Sequence, residues 1–166
     1  MSTPTVSVII PTLDAGATLG TALDSALEQQ TVDVEVLIVD DGSHDGTRQV
    51  ALDRQDERIR WLTTGARRSG SGVTRNTALT AARGDWIALL EADDAWAPGR
   101  LERLLGVGRE HGCRVVCDDL GVYVDGQQQT HAAPEQGPAR ASTGVDHQAA
   151  RAREVRPRAV HADLRT

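Results

Sequence analysis

Two short acidic clusters carry the side chains best suited to chemistry: Asp40-Asp41, followed by Gly42-Ser43, and Glu91-Ala92-Asp93-Asp94. Carboxylate oxygens are the ligands that hard divalent cations prefer, and such a cation can be shared with the phosphates of a bound ligand. Each cluster ends a near-continuous apolar run, Val36-Leu37-Ile38-Val39 in the first case and Trp86-Ile87-Ala88-Leu89-Leu90 in the second. Such runs read as strands buried on both faces, and open α/β sheets bind ligands just beyond the carboxyl ends of their strands. Taken singly, Asp40 to Ser43 also suits a plain turn and Glu91 to Asp94 a solvated loop. Their joint placement after two central strands favours a ligand site at one sheet edge.

The elements that must position these clusters alternate along the chain. Thr5 to Ile10 is rich in β-branched residues and stops at Pro11, which predicts a first strand. Leu19, Ala22, Leu23, Ala26 and Leu27 recur at the spacing of one helical face. The second strand is expected over Glu35 to Val39, followed by a helix to about Asp53 that Asp45 can cap. Ile59 to Leu62 reads as a short third strand, and Gly65 to Gly72 as a flexible loop before a helix from about Val73 to Ala82. Trp86 to Leu90 is the fourth strand. Pro98 suits the first turn of a helix reaching about His111, and a fifth strand covers Arg114 to Cys117, with Leu120 to Val124 as a candidate continuation. Alternating strands and helices joined by short links predict a Rossmann-like α/β fold with a mainly parallel sheet.

Composition narrows the function. The 166 residues suffice for one domain with a core and are too few for two ordinary ones. All 18 basic residues of the Lys+Arg count are arginines, which removes lysine-dependent chemistry, including Schiff bases and a phosphate-loop lysine. The net charge of −6 argues against nucleic acid as a partner, since that grip needs a basic surface. No run approaches a membrane span and no basic, apolar leader opens the chain, so a soluble cytoplasmic protein is expected, with a peripheral place at the membrane as a variant. Cys113 and Cys117 would sit roughly 13 Å apart on one strand, too far to bridge, so both are expected as free thiols. The five histidines show no ligand spacing or nucleophile pairing.

From about Gly126 the character changes to Ala, Arg, Gln, Pro and Gly with hardly any large apolar residue. Such a stretch cannot build a core, so residues 1–125 are read as the domain and residues 126–166 as a disordered low-complexity tail. The acidity belongs to the domain: Met1 to Asp125 holds 12 Arg against 20 acids, Gly126 to Thr166 6 Arg against 4.

Five stretches, in order, resemble the nucleotide-binding half of the family 2 glycosyltransferases, which have the GT-A fold. They are Val6-Ser7-Val8-Ile9-Ile10-Pro11-Thr12, Val39 to Thr47, Gly72-Val73-Thr74-Arg75-Asn76, Ala82 to Ile87 and Ala92 to Pro98. The resemblance covers roughly Thr5 to Val124. It implies a nucleotide-diphospho-sugar donor, a divalent cation (Mn²⁺ or Mg²⁺) and transfer of the sugar to the hydroxyl of an acceptor, whether saccharide, lipid or another. By position it implies that Pro11, Thr12 and Asp14 lie along the nucleoside, that Asp41, backed by Asp40, meets the base or ribose, and that Arg75 lies near the nucleotide. Glu91-Ala92-Asp93 takes the place of the family's Asp-x-Asp motif. That implies Glu91 and Ala92 on the nucleotide-sugar side, with Asp93 as metal ligand and Asp94 as its helper.

Two departures stand out. Glu91 replaces Asp and adds one methylene, roughly 1.3 Å of reach. The acceptor-side half, with the family's general base, lies further along than this chain extends, so the resemblance implies a truncated transferase with no catalytic residue assigned. Asp118 and Asp119 come too early to match that base. The alternative is a non-catalytic nucleotide-binding remnant. A receiver-type signalling domain also gathers acidic residues at strand ends, but it relies on a lysine that this chain lacks. A dinucleotide-dependent oxidoreductase would place G-x-G-x-x-G after the first strand, where Pro11 to Gly16 reads Pro-Thr-Leu-Asp-Ala-Gly.

Overall fold

The computed structural model describes residues 4–118 and the backbone of four further short strands. Four parallel strands form the centre: β1 (Val6–Thr12), β2 (Val34–Asp40), β3 (Ile59–Thr63) and β4 (Trp86–Leu89). They are joined by α1 (Leu19–Leu27) after β1, α2 (Thr47–Asp53) after β2 and α3 (Ser71–Ala81) after β3; α4 (Arg100–Glu110) follows β4 and leads to β5 (Val115–Cys117). The spatial order within these four strands is β3-β2-β1-β4, so β1 lies between the two strands that end in acidic clusters. The parallel α/β architecture expected from the alternation is the one observed.

Side-chain alternation divides the core in two. Val6, Val8 and Ile10 of β1 pack with Leu19, Leu23, Ala51, Leu101 and Leu104, the apolar faces of α1, α2 and α4. Ile9, with Leu37, Val39 and Ile87, packs on the opposite face against Ala78 of α3. Both faces of the sheet are therefore covered, which explains the unbroken apolar runs of β2 and β4.

Several boundaries differ from the sequence reading, three of them in ways that shape the loops. β1 continues through Pro11 to Thr12, pairing Pro11 with Val39 and Thr12 with Asp40. Proline is tolerated there because its nitrogen faces the β4 side, and the β1–β4 ladder has already ended at Ile9 and Leu89. The N-cap of α2 is Gly46, one residue after Asp45, although Asp45 still accepts the Thr47 N–H at 2.9 Å. α4 starts at Arg100 with Gly99 as its N-cap at φ 71°, so Pro98 precedes the helix instead of opening it.

Most of residues 126–166, read above as a disordered tail, lies outside the described residues. Three segments of it take strand positions. β6 (Val122–Val124), expected as a continuation of β5, pairs antiparallel with β7 (Gln127–Gln129). β8 (Arg140–Ser142) lies antiparallel to β5, and β9 (Arg158–Val160) runs parallel between β4 and β5. Pairing of β8 and β9 with β4 and β5 uses main-chain groups and does not need large apolar side chains. Among the described residues no helix is long and apolar enough to cross a membrane, and Cys113 and Cys117 are not joined in a disulfide.

Candidate functional site

Both acidic clusters are stitched to the end of β1. The Asp41 N–H donates to the Thr12 carbonyl at 2.9 Å on one side, and the Leu90 N–H donates to the Ile9 carbonyl at 3.0 Å on the other. Asp40-Asp41 and Glu91 to Asp94 therefore emerge at the same carboxyl edge, flanking Pro11, Thr12 and the loop that carries Asp14.

Asp40 is buried, and its carboxylate folds back on its own turn, accepting from the Ser43 N–H at 3.1 Å and from the Ser43 hydroxyl. Asp41 is buried as well. Its Oδ1 accepts from the Thr64 hydroxyl at 2.8 Å and its Oδ2 from the Gly70 N–H at 2.9 Å. Burial pushes this carboxyl up, but the donors from Gly70, Thr64 and Ser69 outweigh it and bring the pKa to about 2. Asp41 is thus an organised anion that holds the Gly65 to Gly72 loop, read from its glycines as flexible, against the sheet edge. Arg67 of that loop packs on Gly42, where φ is 86° and an added Cβ would lie 2.8 Å from the Arg67 Cβ. Only glycine leaves room for this approach.

The same loop reaches Asp14. Arg67 Nη2 donates to Asp14 Oδ2 at 2.6 Å, and the His44 N–H donates to Asp14 Oδ1 at 2.8 Å. The His44 N–H is the main cause that holds the Asp14 carboxyl below its ordinary range, with Arg67 adding to it. The Asp14 N–H donates in turn to the Ser43 hydroxyl at 2.8 Å. Three loops, after β1, β2 and β3, thereby become one walled edge. The walls come from Ser43, already part of the first acidic turn in the sequence, and from Thr64, Arg67 and Gly70, which the sequence reading did not assign to the site; the Gly-rich spacing of the third loop is the sequence signal for Arg67 and Gly70.

On the β4 side, Ala92 is buried, Asp93 is exposed and Asp94 is half-buried. Glu91 and Arg75 form an ion pair, with side chains about one-third exposed. Two residues predicted separately to face the nucleotide are therefore partners of each other, and Arg75 keeps a buried Nε with no acceptor among the described residues. Burial pushes the Asp94 carboxyl up, and the negative charges of Asp93 and Glu91 push it further. Among the described residues no three side chains of His, Cys, Asp or Glu converge as a ready-made metal cage. Asp118 is engaged elsewhere, in a forked pair with Arg100 at 2.6 and 3.0 Å and within 3.6 Å of Arg103; Asp119 lies outside the described residues.

This edge, with its paired acidic turns on a β3-β2-β1-β4 sheet, coincides with a family match. The sequence profile described as Glycosyl transferase family 2 fits residues 7–155. The chain belongs to glycosyl transferase family 2. Its relatives include succinoglycan biosynthesis protein ExoO of Rhizobium meliloti (strain 1021), 37% identical over 125 residues, which are 75% of this chain and 36% of that protein. Another is the Escherichia coli UDP-Glc:alpha-D-GlcNAc-diphosphoundecaprenol beta-1,3-glucosyltransferase WfgD, 40% identical over 97 residues, 58% of this chain and 38% of that protein. Among solved structures, S. aureus TarS 1-349 in complex with UDP-GlcNAc superposes with a TM-score of 0.67 at 25% identity, over 79% of this chain and 38% of TarS 1-349. The mannosyltransferase PcManGT from Pyrobaculum calidifontis, in complex with GDP-Man and Mn²⁺, superposes with a TM-score of 0.51 at 30% identity, over 60% and 30% of the two chains. The fold is therefore that of the GT-A glycosyltransferases, and the family 2 chain described here spans well under half the length of these relatives.

Proposed function

We propose that this family 2 domain binds a nucleotide-diphospho-sugar with a divalent metal, for transfer of the sugar to an acceptor hydroxyl. One observation carries the reading: the backbone bonds from Asp41 to Thr12 and from Leu90 to Ile9 bring two acidic turns to one edge of a parallel sheet, the edge at which α/β sheets take nucleotides. On this reading Pro11, Thr12, Asp14, Asp40 and Asp41 form the nucleoside side, and Arg75, Glu91 and Ala92 the diphosphate and sugar side.

Asp93 and Asp94 fit a divalent cation. Burial first, and then the charges of Asp93 and Glu91, drive the half-buried Asp94 carboxyl toward its neutral form, and a cation would relieve the charge part of that push. Two carboxylates suffice for Mn²⁺ or Mg²⁺ when a diphosphate and water complete the oxygen shell, which agrees with the absence of a three-residue cage among the described residues. When bound, the metal would neutralise charge on the departing diphosphate. The chain's own contribution is orientation: Asp41 fixes the Gly65 to Gly72 loop, Arg67 fixes Asp14, and Glu91 fixes Arg75.

The acceptor and the base that takes its proton are not assigned. Asp118 is held by two arginines and suits a structural role, an observation that favours the second reading, a nucleotide-binding domain without turnover by itself. WfgD is named for a diphosphoundecaprenol acceptor; a lipid-linked acceptor would place this chain in the cytoplasm, peripheral to the membrane. Thermal-shift titration with UDP, GDP and dTDP, each with Mn²⁺, tests the donor assignment. A saturable rise in Tm with at least one of them is expected, and no shift with any would refute it.

A further inference from the structure

Among the described side chains most arginines are committed. Of the twelve among the described side chains, seven pair with carboxylates: Arg54, Arg58, Arg60, Arg67, Arg75, Arg100 and Arg103. Three of the remaining five, Arg83, Arg109 and Arg114, line one open groove of about 1120 Å³. It lies at the amino-terminal edge of β1 and β4, where Thr5 and Trp86 also line it, opposite the edge that carries the donor site. Among the described lining residues Asp85 is the single acidic side chain, which gives these residues a formal charge of +2.

The groove is built from fixed backbone. The Arg83 N–H donates to the buried Glu35 carboxylate at 2.7 Å, and the Gly84 N–H to the Ser7 hydroxyl at 2.8 Å. An added Cβ on Gly84 would fall 2.5 Å from the Ser7 nitrogen, so this loop is pressed onto β1. The final turn of α4 is closed by its own chain: the His111, Gly112 and Cys113 N–H groups donate to the carbonyls of Val107, Arg109 and Gly108. Those carbonyls do not need an arginine, and the Arg109 side chain stays available. All three arginines are exposed, over a floor formed by buried Trp86 and Cys113.

We propose that this groove is a second anion site, taking the phosphate of a phosphorylated ligand other than the donor. Guanidinium forks match phosphate oxygens in pairs, and a net lining charge of +2 matches a doubly charged phosphate better than a single carboxylate. The phosphate can come from a free ligand or from a lipid headgroup. It needs no metal, unlike the acidic edge across the sheet.

The test uses the full chain in EDTA, which silences metal-dependent binding at the donor edge. Pyrophosphate titration, followed by the amide resonances of Gly84, Gly112 and Arg114, should give saturable shifts that weaken with added salt. Replacing the three arginines (R83A/R109A/R114A) should lower the affinity at least tenfold while Mn²⁺-dependent UDP binding is retained. Asp85→Asn should tighten it, a change of opposite sign that loss of folding cannot imitate. Cosedimentation with phosphatidylglycerol vesicles, but not phosphatidylcholine vesicles, that is lost in the triple variant would assign the phosphate to a lipid headgroup. Pyrophosphate shifts without vesicle binding would assign it to a free ligand. Absence of both, or binding unchanged in the triple variant, would overturn the proposal.

Discussion

Arg75 of α3 and Glu91 of the loop after β4 meet as an ion pair at the carboxyl edge of the sheet. The pair joins the third and fourth βα units and gives the extra methylene of Glu91 a use, because the longer side chain reaches across to the guanidinium. Glu91→Asp withdraws the carboxylate by roughly 1.3 Å. A pair about one-third exposed contributes up to about 1 kcal/mol, so metal-dependent UDP binding should weaken by roughly fivefold. Fluorescence titration of the variant checks this; tighter binding would show that Arg75 and Glu91 restrain each other unproductively.

Asp41 predicts an acid-sensitive edge. Its folded pKa of about 2 lies below the ordinary 3.8, so its contribution to stability is complete above about pH 4 and is lost as the pH falls toward 2. Asp41→Ala leaves the Gly70 N–H without its acceptor, a cost of about 1–3 kcal/mol, while the Thr64 hydroxyl keeps the Ala66 carbonyl at 2.8 Å. Melting curves between pH 7 and 2 should show a lower Tm at neutral pH and a shallower acid loss in the variant. Parallel curves for the two proteins would contradict this role.

Asp94 should behave in the opposite sense. Its raised pKa means that the folded state holds a proton more readily than the unfolded one, so its effect on stability becomes less favourable as the pH rises through that value. Asp94→Asn should raise the Tm of the metal-free protein at pH 7 and lower Mn²⁺-supported nucleotide binding by about tenfold, the loss of one charged ligand worth about 1.4 kcal/mol. Thermal shift with and without Mn²⁺ reads both signs together.

Turnover by the purified 166-residue chain should be weak. Among the described residues the carboxylate nearest to the expected acceptor side in sequence, Asp118, is forked onto Arg100, and general-base assistance contributes about 10²–10⁴-fold to such a reaction. Release of UDP from UDP-glucose, with simple saccharides and with lipid-linked acceptors, measures it. Steady transfer onto any acceptor would show that the base is already present.

The apolar runs of β2 and β4 made the sheet legible, because a strand buried on both faces has no polar alternation to obscure it. The acidic residues after those runs were legible for the same reason. Which of them pair was not. The Arg75–Glu91 contact depends on the crossing of α3 over the sheet, and the Arg67–Asp14 contact on a loop whose glycines, Gly65 and Gly70 at φ 78° and 95°, read equally well as mobile or as sharply folded. The continuation of β1 through Pro11 was hidden because proline is excluded only from strands paired along both edges, and the shortness of β4 is a tertiary fact. Strand pairing by Arg158–Val160 rests on main-chain groups and leaves little trace in composition.

The central claim, a metal-dependent nucleoside diphosphate site between Asp41 and Asp93, is tested most directly by isothermal titration calorimetry with UDP, GDP and dTDP, with and without Mn²⁺. At least one nucleotide should bind with measurable heat in Mn²⁺ and at least tenfold more weakly without it, and Asp93→Ala should abolish that difference while leaving the Tm within a few degrees. No heat with any nucleotide, or the same affinity with and without metal in the wild-type chain, would contradict the account.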